Sequence, residues 1–545
     1  MSTLILYGSQ TGTTKDFAYL LYYSLREHLP VDLFELDSIS PSTLLNVRNL
    51  IILCSTTGQG EFPVNASKFW KFLKRKHPDN LLNHLKIHVC GFGDSGYSQF
   101  NLCGRKLWIR LTQLGAQEGI RGEVNEAKAD WENWFQSWAL NVAKDLDVDL
   151  GDSFVIGGEY NEEGIDISRE PLHKVELLEQ YQGGEHKGVH SNEGQFEVIE
   201  NTVITKEMPV SQTVHKIRLR CNKPFKYNPG DIIQITPLND ATVVNEFLER
   251  QHLVEFANRK VSTPQLGITT LEELLYNLNL QEPPRRFFAN CWQFATDPRE
   301  REKLYELAQF AEADQLHNYI SRSHRSISEV LQEFFSFKMS INWLVDSLGF
   351  IRPREYTISG CYEKEIELTI TRVKYNTILR TARIGLASNF ICNLKVNSKL
   401  NGKIISKNIK LPMGKLLLIS TGAGIAGTKS IIESRNDQNE LILYTGHRFQ
   451  EKDFLYGELW QNFSNLKVFG CFSRNCIDQN LVRDNITFKK GYVQHVLAEK
   501  IPNDIEAVYV CGSSGKMPAE LRQILKEKLD IDQMERNGCY IEDVW

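Results

Sequence analysis

Short apolar runs alternate with amphipathic stretches over the first 140 residues. Leu4 to Tyr7, Asn49 to Cys54 and Lys86 to Cys90 have the length and hydrophobicity of strands buried on both faces of a parallel sheet. Between them, Lys15 to His28 and Ala66 to Lys76 carry apolar residues at helical spacing. Strand and helix in alternation predict a doubly wound α/β domain over residues 1–143. From 144 to 192, scattered glycines and acids break every period. That stretch reads as a hydrophilic linker, with an ordered surface segment as the other reading. From 193 to 240 and again from 350 to 410 the period falls to two, as in Glu197 to Ile204 and Ile366 to Ile370, which predicts an antiparallel β-barrel spanning 193–410. Residues from about 241 to 340 have a helical pattern instead, at Leu271 to Leu275, Arg301 to Ala313 and Ile327 to Phe334, and read as an insertion into the barrel. Strands at Leu416 to Ile419, Leu441 to Tyr444 and Ala507 to Val510 then predict a second α/β domain over 411–545. No repeat of the solenoid kind occurs.

Composition narrows the class. At 545 residues the chain is long enough for three or four domains, and 41% hydrophobic with 24% charged residues is an ordinary globular balance. A net charge of −5 gives no reason to expect nucleic acid or an anionic membrane as partner. The eleven cysteines are scattered without a C-x-x-C pair, which predicts reduced thiols rather than disulfides or a metal site. Met1 to Tyr7 is too short for a signal peptide, and no run of 18 uncharged apolar residues occurs, so a soluble chain without a membrane span is expected.

Candidate chemistry sits where the predicted strands end. The first strand leads into Gly8-Ser9-Gln10-Thr11-Gly12-Thr13-Thr14 and then a helix, so hydroxyls and backbone N–H groups converge on the positive end of a helix dipole, a place for a phosphate. No G-K-[ST] follows, so this is not a Walker loop. The next two strands end in Ser55-Thr56-Thr57-Gly58-Gln59-Gly60 and Gly91-Phe92-Gly93-Asp94-Ser95-Gly96-Tyr97. Three such loops at successive strand ends form the usual ligand crevice of an open α/β sheet, with Tyr97 placed to stack on a flat ring. Here the chain resembles flavodoxin, and the ligand implied is FMN.

In the barrel, Arg354-Glu355-Tyr356-Thr357 alternates charge, ring and hydroxyl along an extended chain, suited to a pyrophosphate and the ring beyond it. Gly385-Leu386-Ala387-Ser388 opens a predicted helix that can take the pyrophosphate's other face. In this order the two motifs resemble the FAD-binding barrel of the ferredoxin-reductase family. Ser420-Thr421-Gly422-Ala423-Gly424-Ile425-Ala426-Gly427 spells G-x-G-x-x-G between a strand and a helix. No acid ends the next strand; Arg448, Ser473, Arg474, Lys490, Tyr492 and Gln494 follow instead. A hydroxyl and several cations there favour a 2′-phosphate, hence NADPH over NADH.

Taken in order, the motifs resemble the diflavin reductases over nearly the whole chain, and most closely the soluble NADPH-dependent diflavin oxidoreductases of cytosolic iron–sulfur assembly. The stretches that carry this are Cys54 to Glu61 with Phe69-Trp70, Gly93-Asp94-Ser95, Ile351 to Arg354, and Cys511 to Pro518. The resemblance implies FMN, FAD and NADPH as cofactors and a cytoplasmic location, leaving room for an additional mitochondrial pool. It places a hydroxyl beside the flavin at Thr357, a thiol near the nicotinamide at Cys511, a carboxylate at Asp543, and the terminal aromatic that covers the FAD ring at Trp545. It adds Phe100 and Asn101 to the FMN site, Arg325 to the FAD site and Glu520 to the NADPH site. Departures stand out at Gly427 and Ala423, where the group usually carries Pro and often Thr, so that NADPH affinity is expected to be lower unless Thr421 supplies the hydroxyl. Ala387 replaces a frequent Cys, Glu520 a common Asp, and Thr57 an aromatic of the microsomal relative.

The resemblance implies electron flow from NADPH through FAD and FMN to an iron–sulfur acceptor protein resembling anamorsin. Residues 1–140 hold 14 basic and 13 acidic side chains, without the acidic excess expected of a module that docks on a basic haem protein. Two other readings remain: a reductase for haem proteins or sulfite reductase, and a catalytically weak scaffold that acts by binding partners.

Overall fold

The first strand, β1 (Thr3–Gly8), is buried along its whole length because helices cover both faces of its sheet. The computed structural model describes residues 3–58, 60–97, 99–151, 160, 170–178, 194–206, 212–309, 313–378, 380–435, 440–513 and 515–544. After β1 come α1 (Thr13–Leu25), β2 (Val31–Glu35), β3 (Asn49–Ser55), α2 (Ser67–Leu73), β4 (Lys86–Gly93), α3 (Leu102–Gln113), β5 (Gln117–Asn125) and α4 (Trp131–Asp145). The strands lie in the order β2-β1-β3-β4-β5 and every neighbour is parallel. On one face α1 and α4 pack Phe17 against Phe135, ring centroids 4.8 Å apart; on the other, α2 and α3 bury Phe69, Leu73, Leu107 and Leu111. Each such side chain contributes about 1.5–3 kcal/mol by leaving water. The strand order reverses between β1 and β3, so their following loops diverge and open a crevice.

Residues 239–350 interrupt the barrel in sequence but form one compact unit with residues 1–186. Their helices include Ala241–Arg250, Leu271–Asn277, Arg285–Cys291, Pro298–Ala308, Ile327–Glu333 and Leu344–Leu348. Capping boxes start two of them: Thr270 with Glu273, and Ser326 with Glu329. Buried ion pairs tie this segment to the flavodoxin-like sheet's helices, Arg286 with Asp16 on α1 (3.2 Å) and Arg285 with Glu132 on α4. Leu172 and His173, within the stretch read as a linker, donate backbone N–H groups to Asp346. Glu176–Leu177 then pairs with Lys260–Thr263.

The second unit comprises residues 187–238 and 351–545. Its six-stranded barrel closes in the order Arg354–Tyr362, Glu365–Arg372, Thr213–Cys221, Gly194–Val203, Lys399–Ile405, Ile232–Ile235, every neighbour antiparallel. Closure removes free edges, and the inward positions Val198, Ile217, Leu219, Ile233, Ile358 and Leu368 fill the core. A seven-stranded sheet follows, in the order Val482–Arg483, Ile486–Lys490, Leu466–Asn475, Leu441–Phe449, Leu416–Thr421, Ala507–Gly512, Tyr540–Val544. It is parallel apart from the Val482–Arg483 edge. The fold class read from the periodicities is the observed one.

Candidate active site

Three loops meet at the carboxyl ends of β1, β3 and β4. In the first, Ser9 Oγ accepts the Gly12 N–H (2.8 Å), and Gly12 turns with φ 100° into α1. No side chain caps that helix, so its first-turn N–H groups face the loop. Gln10 Oε1 accepts the Val64 N–H (3.2 Å) and Asn65 Oδ1 the Ser9 N–H (3.0 Å), bracing the loop from behind. Thr11 is exposed, Thr13 half-buried and Thr14 buried. In the second loop Ser55 Oγ donates to Gly8 O (3.4 Å) and Thr56 Oγ1 accepts the Cys103 N–H (3.1 Å). Thr57 and Glu61 close the turn through backbone bonds, with Gly58 at φ 49° between them. In the third, Asp94 Oδ1 accepts the Gly96 N–H (2.6 Å), and Tyr97 stands out with 45% of its surface exposed. Asn101, with φ 52°, is fully buried against Gly91 and Gly93; its Nδ2 donates to Val124 O (2.9 Å). Phe100 lies under the Arg105 guanidinium (5.8 Å).

In the second unit a single cavity of about 1210 Å³ runs from the barrel to the sheet's carboxyl end. Its walls bring together Arg354, Glu355, Tyr356, Thr357 and Gly385 to Ser388 from the barrel side with Thr421, Ala423, Arg448, Ser473, Tyr492, Gln494 and Glu520 from the sheet side. Gly385 opens the helix Leu386–Cys392, and Ser388 Oγ accepts the Val373 N–H (3.1 Å) and donates to Gly385 O (3.1 Å). Gln494 Nε2 donates to Glu520 Oε2 (2.9 Å), and Ser473 Oγ to His447 O (3.3 Å). Gly422 makes the turn after Thr421 with φ 55°. Arg474 and Lys490 are exposed and do not line the cavity. Arg325 falls in the first unit, where it pairs with Glu333 and lies 4.2 Å from the Tyr319 ring centre. Trp545 and Gln59 lie outside the described residues.

Strand pairing sets Cys511 opposite Asp543. Asp543 Oδ2 accepts from Thr357 Oγ1 (3.4 Å), Tyr509 Oη (3.0 Å) and, more distantly, Cys511 Sγ (3.9 Å). Cys511 has no exposed surface; burial, then the Asp543 charge, pushes its thiol far above its ordinary pKa, so it is a neutral group and not a thiolate nucleophile.

Residues 5–138 match the flavodoxin family, 190–390 the FAD binding domain and 418–522 the oxidoreductase NAD-binding domain. The NADPH-dependent diflavin oxidoreductase 1 of Eremothecium gossypii is 32% identical over 99% of both chains. The proteins of that name from Saccharomyces cerevisiae and Schizosaccharomyces pombe are each 31% identical over 99% of this chain and 99% and 96% of theirs. This chain belongs to the NADPH-dependent diflavin oxidoreductase family. It is an oxidoreductase whose cofactors are FMN, FAD and NADPH.

The residues present fit those groups. In the flavodoxin-like domain of the enzyme, an uncapped helix start meets a glycine turn, and Asn101 Oδ1 is a buried oxygen without a hydrogen-bond partner. In the second unit the long cavity joins a barrel wall to a Gly-x-Gly turn, as a dinucleotide pair requires. All eleven cysteines are free, and among the described residues no helix is long and apolar enough to cross a membrane. Two residues escaped the sequence reading. Asp453 lines the cavity and accepts the Arg448 and Phe449 N–H groups; burial raises its pKa despite those bonds. Tyr509 had a readable signal, since it precedes Cys511 by two on one strand and so shares its face.

Proposed function

We propose that this oxidoreductase passes electrons from NADPH through FAD and FMN to an iron–sulfur acceptor protein resembling anamorsin, in cytoplasmic iron–sulfur cluster assembly. When bound, the nicotinamide supplies a hydride and the flavins take up the electron pair and release it singly. The chain's own residues bind and orient. Ser9 to Thr14 and the start of α1 take the FMN phosphate, while the loops at Ser55 to Gly58 and Gly93 to Asn101 flank its ring. Arg354 and the Gly385 to Ser388 turn hold the FAD pyrophosphate, and Tyr356 covers its ring. Arg448, Ser473 and Tyr492 take the 2′-phosphate end of NADPH, with Arg474 and Lys490 as outlying cations. Thr357, Cys511 and Asp543 orient the nicotinamide, with the Asp543 carboxylate set to stabilise positive charge as it develops there.

The observation that carries the acceptor assignment is the near balance of 14 basic and 13 acidic side chains over residues 1–140, which offers no acidic steering field for a basic haem protein. The electron path from NADPH through two flavins is supported also by the full-length similarity to fungal proteins named NADPH-dependent diflavin oxidoreductase 1. The test compares single-turnover electron transfer from the NADPH-reduced enzyme to a purified [2Fe–2S] anamorsin-type protein and to cytochrome c. Faster transfer to the cluster protein is expected; faster transfer to haem overturns the assignment.

A further inference from the structure

We propose that Tyr509 is the positioning residue that fixes the Asp543 carboxylate, and that the bare position at Gly427 gives it the room to do so. This rests on the reading of Asp543 as a nicotinamide-side group. Of the three donors around Asp543 Oδ2, Tyr509 Oη at 3.0 Å is nearer than Thr357 Oγ1 at 3.4 Å or Cys511 Sγ at 3.9 Å. Asp543 stands near the end of the last strand, where the side chains after Tyr540 are half-buried, so without an anchor its carboxylate would sample several rotamers. The tyrosine itself is held rigidly: it is buried to 1% exposure in the core between the sheet and the helix Ile425–Ser434, two residues before Cys511 on the same face.

Space for its hydroxyl comes from an absent side chain. A Cβ at position 427 would stand 2.5 Å from Tyr509 Oη and 3.0 Å from its Cε1. Gly427 lies inside the helix Ile425–Ser434, where glycine costs about 1 kcal/mol relative to alanine. A side chain there would displace the phenol from the carboxylate it anchors. Burial, together with the Asp543 carboxylate, pushes the phenol pKa far up, so Tyr509 remains a donor.

The experiment uses the full-length flavin-loaded protein labelled with ¹³C-aspartate. The Asp543 carboxylate band is identified in infrared difference spectra by its loss in Asp543→Asn. In Tyr509→Phe that band is expected to shift, while NADPH-driven flavin reduction slows roughly 10- to 100-fold with KM changed less than about twofold. Gly427→Ala, which keeps the phenol but crowds it, is expected to shift the band likewise, and the double variant to be no slower than Tyr509→Phe alone. Should Tyr509→Phe lose its flavins, Gly427→Ala carries the test by itself. An unmoved carboxylate band, or an effect confined to KM, overturns the proposal. Wild-type kinetics in Asp543→Asn would instead overturn the reading of Asp543 on which it rests.

Discussion

His88 on β4 has no exposed surface, and its Nδ1 accepts the Ile120 N–H at 3.1 Å, so its proton sits on Nε2, 3.4 Å from Asp145. Burial outweighs the attraction of Asp145 and holds its pKa down to about 4. The unfolded chain therefore takes up a proton near pH 6.5 that the folded chain refuses until about pH 4. Stability from this group is complete above the unfolded value and lost as pH falls through the folded one, by roughly 3 kcal/mol in all. Urea denaturation of wild type and His88→Gln at several pH values across that window should show a steeper acid loss in the wild type. Gly12 permits a second test: its φ of 100° costs any other residue about 1–2 kcal/mol, so Gly12→Ala should strain the turn into α1 and lower the FMN-to-protein ratio while leaving FAD bound. The three loops at the ends of β1, β3 and β4 were legible in sequence because glycine and hydroxyl residues after a strand are a local signal. Tyr509 was legible only in part: its spacing from Cys511 marks a shared strand face, but its partner Asp543 and its neighbour Gly427 are brought to it only by strand pairing and helix packing.

One helix joins sheet and barrel in the second unit. On Ile425–Ser434, Lys429 is buried and pairs with Glu367 of the barrel (3.0 Å) and Glu433 of its own helix (2.7 Å), within 6 Å of the Tyr362 and Tyr456 ring centres at 5.8 and 5.3 Å. Burial opposes its charge, yet the two carboxylates hold its pKa above the ordinary lysine value. Removing the ammonium strands two acids, so Lys429→Ala should cost about 3–5 kcal/mol. Pairing Lys429→Met with Glu367→Gln should recover part of that loss, both read from denaturation midpoints. At this scale the sequence signal follows burial. β1, β3 and β4 are buried on both faces and show as apolar runs. The sheet's outer strands β2 (VDLFE) and β5 (QEGIRGEVN) are partly exposed and too polar to show. Pro298–Ala308 begins earlier than its apolar period because Asp297 caps it, a boundary set by side-chain hydrogen bonds rather than hydrophobicity.

The helical segment 239–350 shares a compact unit with the flavodoxin-like domain, although it interrupts the barrel in sequence. Hydrophobic periodicity reports that a helix has a buried face but not what covers it, so this grouping was not readable. Asp346 is the clearest contact behind it. Its carboxylate, 1% exposed, accepts from Tyr23 Oη on α1, from the Leu172 and His173 N–H groups, and lies 2.9 Å from His173 Nδ1. Burial alone would raise its pKa, but the bonds from His173 and Tyr23 prevail and hold it below the ordinary carboxylate value. A depressed carboxylate stabilises the fold above its unfolded pKa, near 3.9, and the contribution is lost as pH falls through the lower folded value. Asp346→Asn keeps the shape but forfeits the charge-assisted bonds, each worth about 1.5–3 kcal/mol. The variant should unfold at markedly lower urea, with α1 and the helical segment losing hydrogen-exchange protection together because one carboxylate serves both. Loss of protection in the helical segment alone would mean that α1 does not depend on Asp346, and that the Arg286–Asp16 and Arg285–Glu132 pairs suffice to hold it.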